Sequence, residues 1–189
     1  MNNDAPSIRS LVEDCKQGDI SSKEKMYRAF YGYIMGVIIR YVPVTDDAEE
    51  LVNDTFMKIF KHISSFDGPG DQEAYGKSFR GWIAKIGSRT AIDHIRKQKN
   101  NFNTSEIDKV QTYIVATPIS MDMEVADIMQ LLDQLPATHK IVFNMYEVEG
   151  YSHDEISKLL NIPVSSSRVF LTRAKSKLRS LYELKFSEC

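Results

Sequence analysis

Apolar residues recur along most of this chain at the three- and four-residue spacing of a helix, and no alternating run or hairpin signal interrupts them. The spacing predicts a first helix from about Ser7 to Gln17, stopped at Gly18, and a second from about Ser21 to Tyr41, ahead of Pro43. The third is the clearest. Thr45 suits an N-cap, Asp46 and Asp47 suit the positive helix start, and apolar or small residues follow at 48, 51, 52, 55, 56, 59, 60 and 63. That is a continuous core-facing stripe. The segment "SSFDGPGDQ" breaks the pattern with Gly-Pro-Gly and reads as a loop.

A fourth helix is predicted over about Glu73 to Lys99. Its early apolar residues (Phe79, Trp82, Ile83, Ile86) and its later ones (Ile92, Ile95) do not share a face, and a bend at Gly87-Ser88 would reconcile them. From Asn100 to about Ser120 the periodicity lapses, which reads as a linker. A second helical block follows: about Asp122 to Leu135, stopped by Pro136, then Ala137 to Glu147, stopped near Gly150. The fold class expected is all-α, with two small helical domains over residues 1–99 and 121–189 and a flexible linker over 100–120.

The last helical pair, "YSHDEISKLLNIPVSSSRVFLTRAKSKL", carries the sharpest local signals. Ser152 and Glu155 form a capping box. Ile156, Leu159 and Leu160 point inward, Asn161 can take the left-handed conformation that ends a helix, and Pro163 suits the entry to the next. Two short helices around a tight turn make a helix-turn-helix. The second helix sorts around its axis. Val164, Leu171, Ala174, Leu178, Leu181 and Tyr182 share one side, while Ser165, Arg168, Val169, Thr172, Arg173 and Ser176 lie on the other.

Charge then sharpens the picture. The chain of 189 residues has a formal net charge of −2, whereas a protein that simply coats nucleic acid is strongly basic. Any nucleic-acid contact must therefore come from local basic faces. Between Arg168 and Lys185 there are six basic residues and one acid, Glu183. Short hydroxyls and arginines near a helix start suit a major-groove reader, because arginine can bond guanine edges bidentately. The competing reading is an ordinary hairpin with a solvated basic face. Val169, on the groove side, is either a thymine-methyl contact or an isolated exposed valine, and the plainer reading is preferred. Phe170, at the edge of the apolar stripe, is expected to pack on the preceding helix.

A second basic stretch runs from Lys77 to Lys99, with seven basic residues and one acid, Asp93. Lys85, Arg89 and Arg96 project to one side, with Trp82 and Phe79 nearby and Phe66 and Tyr75 in the adjoining loop segment. Aromatic rings among basic residues suit single-stranded DNA, where charge holds phosphates and bases stack on rings. Phe79 is better read as core, and Trp82 fits either role. The third helix has the opposite sign: Asp46, Asp47, Glu49, Glu50 and Asp54 crowd its first turns, with Asn53 and Lys58 along the polar face. A metal site at Glu50 and Asp54 has no histidine support. A solvated face and an acidic docking surface for a basic partner remain open.

Composition excludes several classes. A hydrophobic fraction of 42% can build a core. The two cysteines, Cys15 and Cys189, are far apart and in no CxxC pattern, which argues against a disulfide scaffold or zinc site and fits a reducing cytosol. His62, His94, His139 and His153 show no metal-ligand spacing. The opening "MNNDAPSIRS" lacks a basic n-region and an apolar h-region, and the run "YIMGVII" is too short to cross a bilayer. A soluble, cytoplasmic protein without cofactor or membrane insertion is expected. No nucleophile–base pair or glycine-rich phosphate loop suggests an enzyme.

Three blocks in order resemble the extracytoplasmic-function (ECF) group of bacterial RNA polymerase sigma factors: "DDAEELVNDTFMKIFKHISSF", "FRGWIAKIGSRTAIDHIRKQK" and "LLDQLPATHKIVFNMYEVEGYSHDEISKLLNIPVSSSRVFLTRAKSKLR". The resemblance covers nearly the whole chain. It implies that Glu50, Asn53 and Asp54, with Lys58 beside them, bind core RNA polymerase. It implies that the Ser64 to Tyr75 loop takes a flipped promoter base, with Arg80, Trp82, Lys85, Arg89 and Arg96 nearby on the melted strand or duplex edge. Ser165, Ser166, Arg168, Val169, Thr172 and Arg173 would face the upstream promoter element. The implied partners are core RNA polymerase, promoter DNA and an anti-sigma factor. The loop "DGPGDQEAYGKS" is long for this group, and Val169-Phe170 stands where more polar residues are expected. The alternative is a two-domain helix-turn-helix transcriptional regulator that acts without polymerase docking.

Overall fold

Local capping decides where the helices begin, and the computed structural model, which describes residues 7–42, 46–98 and 130–186, follows those signals closely. Ser7 accepts from the Ser10 amide and opens α1 (Ile8–Lys16), and Gly18 closes the turn that follows with φ +90°. Asp19 accepts from the Ser22 amide at 2.6 Å and opens α2 (Ile20–Ile38), one residue ahead of the expected start. α2 gives way to a turn at Ile39, short of the expected Tyr41. α3 spans Asp46–His62, and the expected cap Thr45 lies outside the described residues. A 3-10 turn, Ile63–Ser65, leads into the Gly-Pro-Gly loop. α4 then runs unbroken over Gln72–Gln98.

The expected stripe on α3 is the backbone of the first core. Ala48, Leu51, Val52, Thr55, Phe56, Ile59 and Ile63 are buried, and Phe60 is half-buried. Buried Thr55 keeps its hydroxyl satisfied by donating to the Leu51 carbonyl at 2.7 Å. Met26, Ile34 and Ile38 of α2 and Phe79 and Ile83 of α4 complete the interior. α4 is continuous through Gly87, where the missing side chain serves close packing. A Cβ there would stand 3.3 Å from Val37 Cγ1 and 3.7 Å from Thr55 Cγ2, so its absence lets α4 pass close to α2 and α3. Cys15 is buried in α1, and burial pushes its thiol up to about 11, so it behaves as a core residue at neutral pH.

The second helical block begins, among described residues, with the helical residues 130–133. α5 (Ala137–Phe143) follows Pro136 and passes into a π-helical turn, Asn144–Val148, closed by Glu149 N–H donating to the Asn144 carbonyl at 3.0 Å. Gly150, at φ +70°, ends it. α6 (His153–Leu160) and α7 (Val164–Phe186) complete the unit. Leu132, Leu135 and Ala174 pack together with Phe143 and Leu178, and Met145, Tyr151, Ile156 and Leu160 are fully buried. Tyr182, expected on the core side of α7, is instead 54% exposed, toward the C-terminal end of that helix.

The chain divides into two compact units, Met1–Ala91 and Ile92–Cys189, so the division falls within α4. The expected linker at 100–120, and most of the helix expected from Asp122, lie outside the described residues. All regular structure among the described residues is helical. None of their helices is long and apolar enough to cross a membrane.

Candidate nucleic-acid and docking interfaces

The helix-turn-helix geometry is fixed by short-range bonds. Ser152 Oγ accepts from the Glu155 amide at 3.2 Å, and Glu155 Oε2 accepts from the Ser152 amide at 2.9 Å, so both halves of the capping box are made. Asn161 takes φ 53°, ψ 47°, the left-handed conformation that turns the chain. Ser157 Oγ donates to the Ile162 carbonyl at 2.6 Å and tightens that turn.

A joint that the sequence reading missed then couples the two helices. Ser167 of α7 is fully buried, and its Oγ lies 2.9 Å from His153 Nδ1 at the start of α6. The His153 ring stacks on Tyr146 of the π-helical turn with centroids 4.5 Å apart. Burial, and then the Arg168 charge, pull the His153 pKa below its ordinary value, which favours the neutral ring. The signal for Ser167 was present in the sequence: at about 100° per residue it falls on the same side as Leu171 and Ala174.

The opposite face of α7 is bare. Ser165, Arg168, Val169, Thr172 and Arg173 are exposed and Ser166 is half-buried. Thr172 Oγ1 donates to the Arg168 carbonyl at 3.0 Å, so its hydroxyl can accept from a ligand. Val169 is 44% exposed between Ser165 and Arg173 on this face. Phe170, expected against α6, has its ring against His139 of α5 at 5.3 Å. Lys175 is held by Glu147 of the π-helical turn at 2.6 Å, an acid that counting charges along α7 alone leaves out.

In the first unit, Glu50, Asn53, Asp54 and Lys58 line one exposed side of α3. Two of them are oriented by neighbours. Tyr27 hydroxyl donates to Asn53 Oδ1 at 2.9 Å, and Lys58 Nζ donates to Thr90 Oγ1 of α4 at 2.9 Å. Met57, which the sequence reading passed over, stands beside them 71% exposed. Among the described residues no group of three or more His, Cys, Asp or Glu could hold a metal ion.

On α4, Trp82, Lys85, Arg89 and Arg96 fall within one side at about 100° per residue, whereas Arg80 comes out on the far side. Trp82 and Lys85 are half-buried; Arg80, Arg89 and Arg96 are exposed. Asp93 lies 3.8 Å from Arg96.

Phe66 at the start of the adjoining loop, and Tyr75 and Phe79 in α4, are buried and turned inward. Phe66 meets Tyr75 edge-on at 5.4 Å, Phe79 edge-on at 5.3 Å, and Trp82 at a tilt at 5.3 Å. The expectation that Phe66 and Tyr75 offer stacking faces is therefore corrected: each ring has more to gain from its aromatic neighbours than from solvent. Gly68 lies flat against Tyr75, and the Arg9 guanidinium covers the same ring at 4.6 Å from its centroid.

These features define a two-unit helical protein that carries a helix-turn-helix with an unobstructed cationic face. Residues 26–101 match the family Sigma-70 region 2, and residues 126–178 match Sigma-70, region 4. The ECF RNA polymerase sigma-E factor of Haemophilus influenzae is 23% identical over 185 residues, covering 91% of this chain and 93% of the relative. The ECF RNA polymerase sigma factor SigM of Bacillus subtilis is 22% identical over 162 residues, covering 84% and 94%. The solved structure of CnrH, in complex with the cytosolic domain of CnrY, shares the fold with a TM-score of 0.50 at 18% identity, covering 95% of this chain and 99% of that one. The chain belongs to the sigma-70 family, in its extracytoplasmic-function group. It is a transcription initiation factor that binds core RNA polymerase and directs promoter-specific initiation, which sets aside the polymerase-independent regulator.

Proposed function

We propose that the exposed acidic face of α3 is the surface that grips core polymerase, with Glu50 and Asp54 as its charges, Asn53 as an oriented amide and Met57 as its apolar anchor. The observation that carries this reading is the division of charge: exposed carboxylates on α3, exposed cations on α4 and α7, in a chain that is slightly acidic overall. An exposed methionine inside a polar rim has the anatomy of an interface core. Lys58, tied to Thr90, positions α3 on α4.

Upstream-element readout falls to Arg168 and Arg173, with Ser165, Ser166 and Thr172 as short polar contacts and Val169 as an apolar one. Trp82, Lys85, Arg89 and Arg96 take the downstream element. Arg80, on the other side of α4, takes no part in that surface. The unpaired promoter base is received by the exposed part of the loop, Asp67 to Asp71, over a floor of buried rings. Each DNA surface is modest, and attachment to polymerase raises the effective concentration of both. The chain acts by binding, with no bond chemistry or cofactor of its own, in the cytoplasm. An anti-sigma factor is the inhibitory partner that the family resemblance implies.

The test is charge reversal. Glu50→Lys and Asp54→Lys are each expected to weaken retention by immobilised core polymerase at least about tenfold, through like-charge contact, with helicity unchanged. Normal retention of both variants would remove α3 as the docking surface. Arg173→Ala is expected to cost about 1–3 kcal/mol of discrimination at one upstream position in run-off transcription.

A further inference from the structure

α1 precedes the segment that matches region 2, yet it holds the loop of that region in place. Arg9 Nη2 donates to the carbonyls of Pro69 at 2.6 Å and Gly70 at 2.7 Å. The same guanidinium lies over Tyr75. Arg9 Nε is buried with no hydrogen-bond partner, so the side chain accepts a desolvation cost to reach the loop. Next along α1, the Ile8 side chain abuts Gly76, where a Cβ would come within 3.3 Å of Ile8 Cδ1. Glu13 Oε1 lies 3.5 Å from the Tyr75 hydroxyl. A planar guanidinium that gives one terminal nitrogen to two successive carbonyls while its face lies on a ring is fixed in orientation as well as position, which a lysine ammonium is not. The segment it fixes has glycine on both sides of Pro69, and glycine-flanked backbone samples many conformations when untethered.

We propose that Arg9 is a positioning residue for promoter opening: it holds the Asp67 to Asp71 loop in the conformation that receives the unpaired base. α1 thereby governs how readily and how selectively the downstream element melts. The proposal rests on the loop being the base acceptor, as under Proposed function. Without the clamp the competent loop is a smaller fraction of the population, and apparent affinity for the base falls by that fraction.

The experiment uses core polymerase with the full chain, on a promoter selected by run-off from a library, and on forked DNA carrying each base in turn at the first unpaired position. Arg9→Ala is expected to retain polymerase binding, to slow open-complex formation about tenfold, and to flatten preference among the four forked templates. Arg9→Lys keeps the charge and is expected to resemble Arg9→Ala; full activity in Arg9→Lys would overturn the clamp in favour of simple charge. Asp14→Ala, exposed on the same helix, serves as the control and is expected to match the parent. Should Arg9→Ala fail to fold, the Arg9→Lys result decides. The loop variants Asp67→Ala and Pro69→Ala separate the two layers. If they alter base preference and the Arg9 variants do not, the clamp is overturned while the loop reading stands. If neither set alters it, the loop is not the acceptor and the proposal falls with it.

Discussion

Replacing Gly68 with alanine adds one methyl group where there is no room for it. Its Cβ would stand 2.6 Å from Tyr75 Cδ2, 2.7 Å from Tyr75 Cε2 and 3.1 Å from Phe66 Cζ. Carbon atoms rest at about 3.5–4.0 Å, so the loop or the ring must give by about 1 Å. Tyr75 cannot give cheaply, because it is buried edge-on to Phe66 and capped by Arg9. Overpacking of this kind costs about 1–3 kcal/mol. The loss of chain entropy in the unfolded state returns about 0.4–1 kcal/mol, leaving a net destabilisation of about 1–2 kcal/mol. Gly70, two residues on, is the internal control. Nothing lies within 4 Å of its Cβ position and its φ is not left-handed, so Gly70→Ala is expected to be neutral or to stabilise by up to about 1 kcal/mol. The chain has a single tryptophan, and Trp82 lies 5.3 Å from Phe66, so its fluorescence reports on this cluster in the intact protein. Thermal and urea unfolding followed at that fluorophore should place Gly68→Ala about 5–15 °C below the parent and Gly70→Ala level with it or above. Equal stability of Gly68→Ala and the parent, or an equal fall in both variants, would show that the loop is not packed on the aromatic cluster.

Two further expectations concern the helix-turn-helix. Ser152→Ala removes one half of the capping box and should cost about 1 kcal/mol, read as a lower midpoint in far-UV circular dichroism melts; an unchanged midpoint would mean the box adds nothing to stability. His153 is held neutral, with its folded pKa below the unfolded one by burial and Arg168, against an opposing pull from Asp154. The stability it contributes is therefore full above the ordinary histidine value and is lost as pH falls from there through the folded pKa. Melting at pH 7.5 and at pH 5.5 should show a smaller acid loss in His153→Gln than in the parent, and identical losses would exclude the histidine as the source.

Much of the proposed docking and reading faces was visible in the chain because helical spacing alone sorts them. The α3 stripe, and with it the exposure of Glu50 and Asp54, follows from 3.6 residues per turn, as does the bare face from Ser165 to Arg173. The same spacing already separates Arg80 from Trp82, Lys85 and Arg89 once α4 is known to be continuous. What escaped was the fate of individual side chains that choose between partners. Lys58 turns to Thr90, Lys175 to Glu147 and Phe170 to His139, each on another element.

The sequence by itself determined where most of the described helices begin, the turn at Asn161 and the order of the blocks that resemble sigma factors. Those features depend on bonds and capping contacts between residues at most a few positions apart, which the chain spells out directly. Only the tertiary structure decided that Phe66 and Tyr75 face inward, that Gly87 marks a crossing, that Ser167 meets His153, and that Arg9 reaches the loop sixty residues on. Those outcomes follow from which surfaces the packed helices bring within a few ångströms, and that distance is a property of the whole fold, carried by no single stretch of the chain.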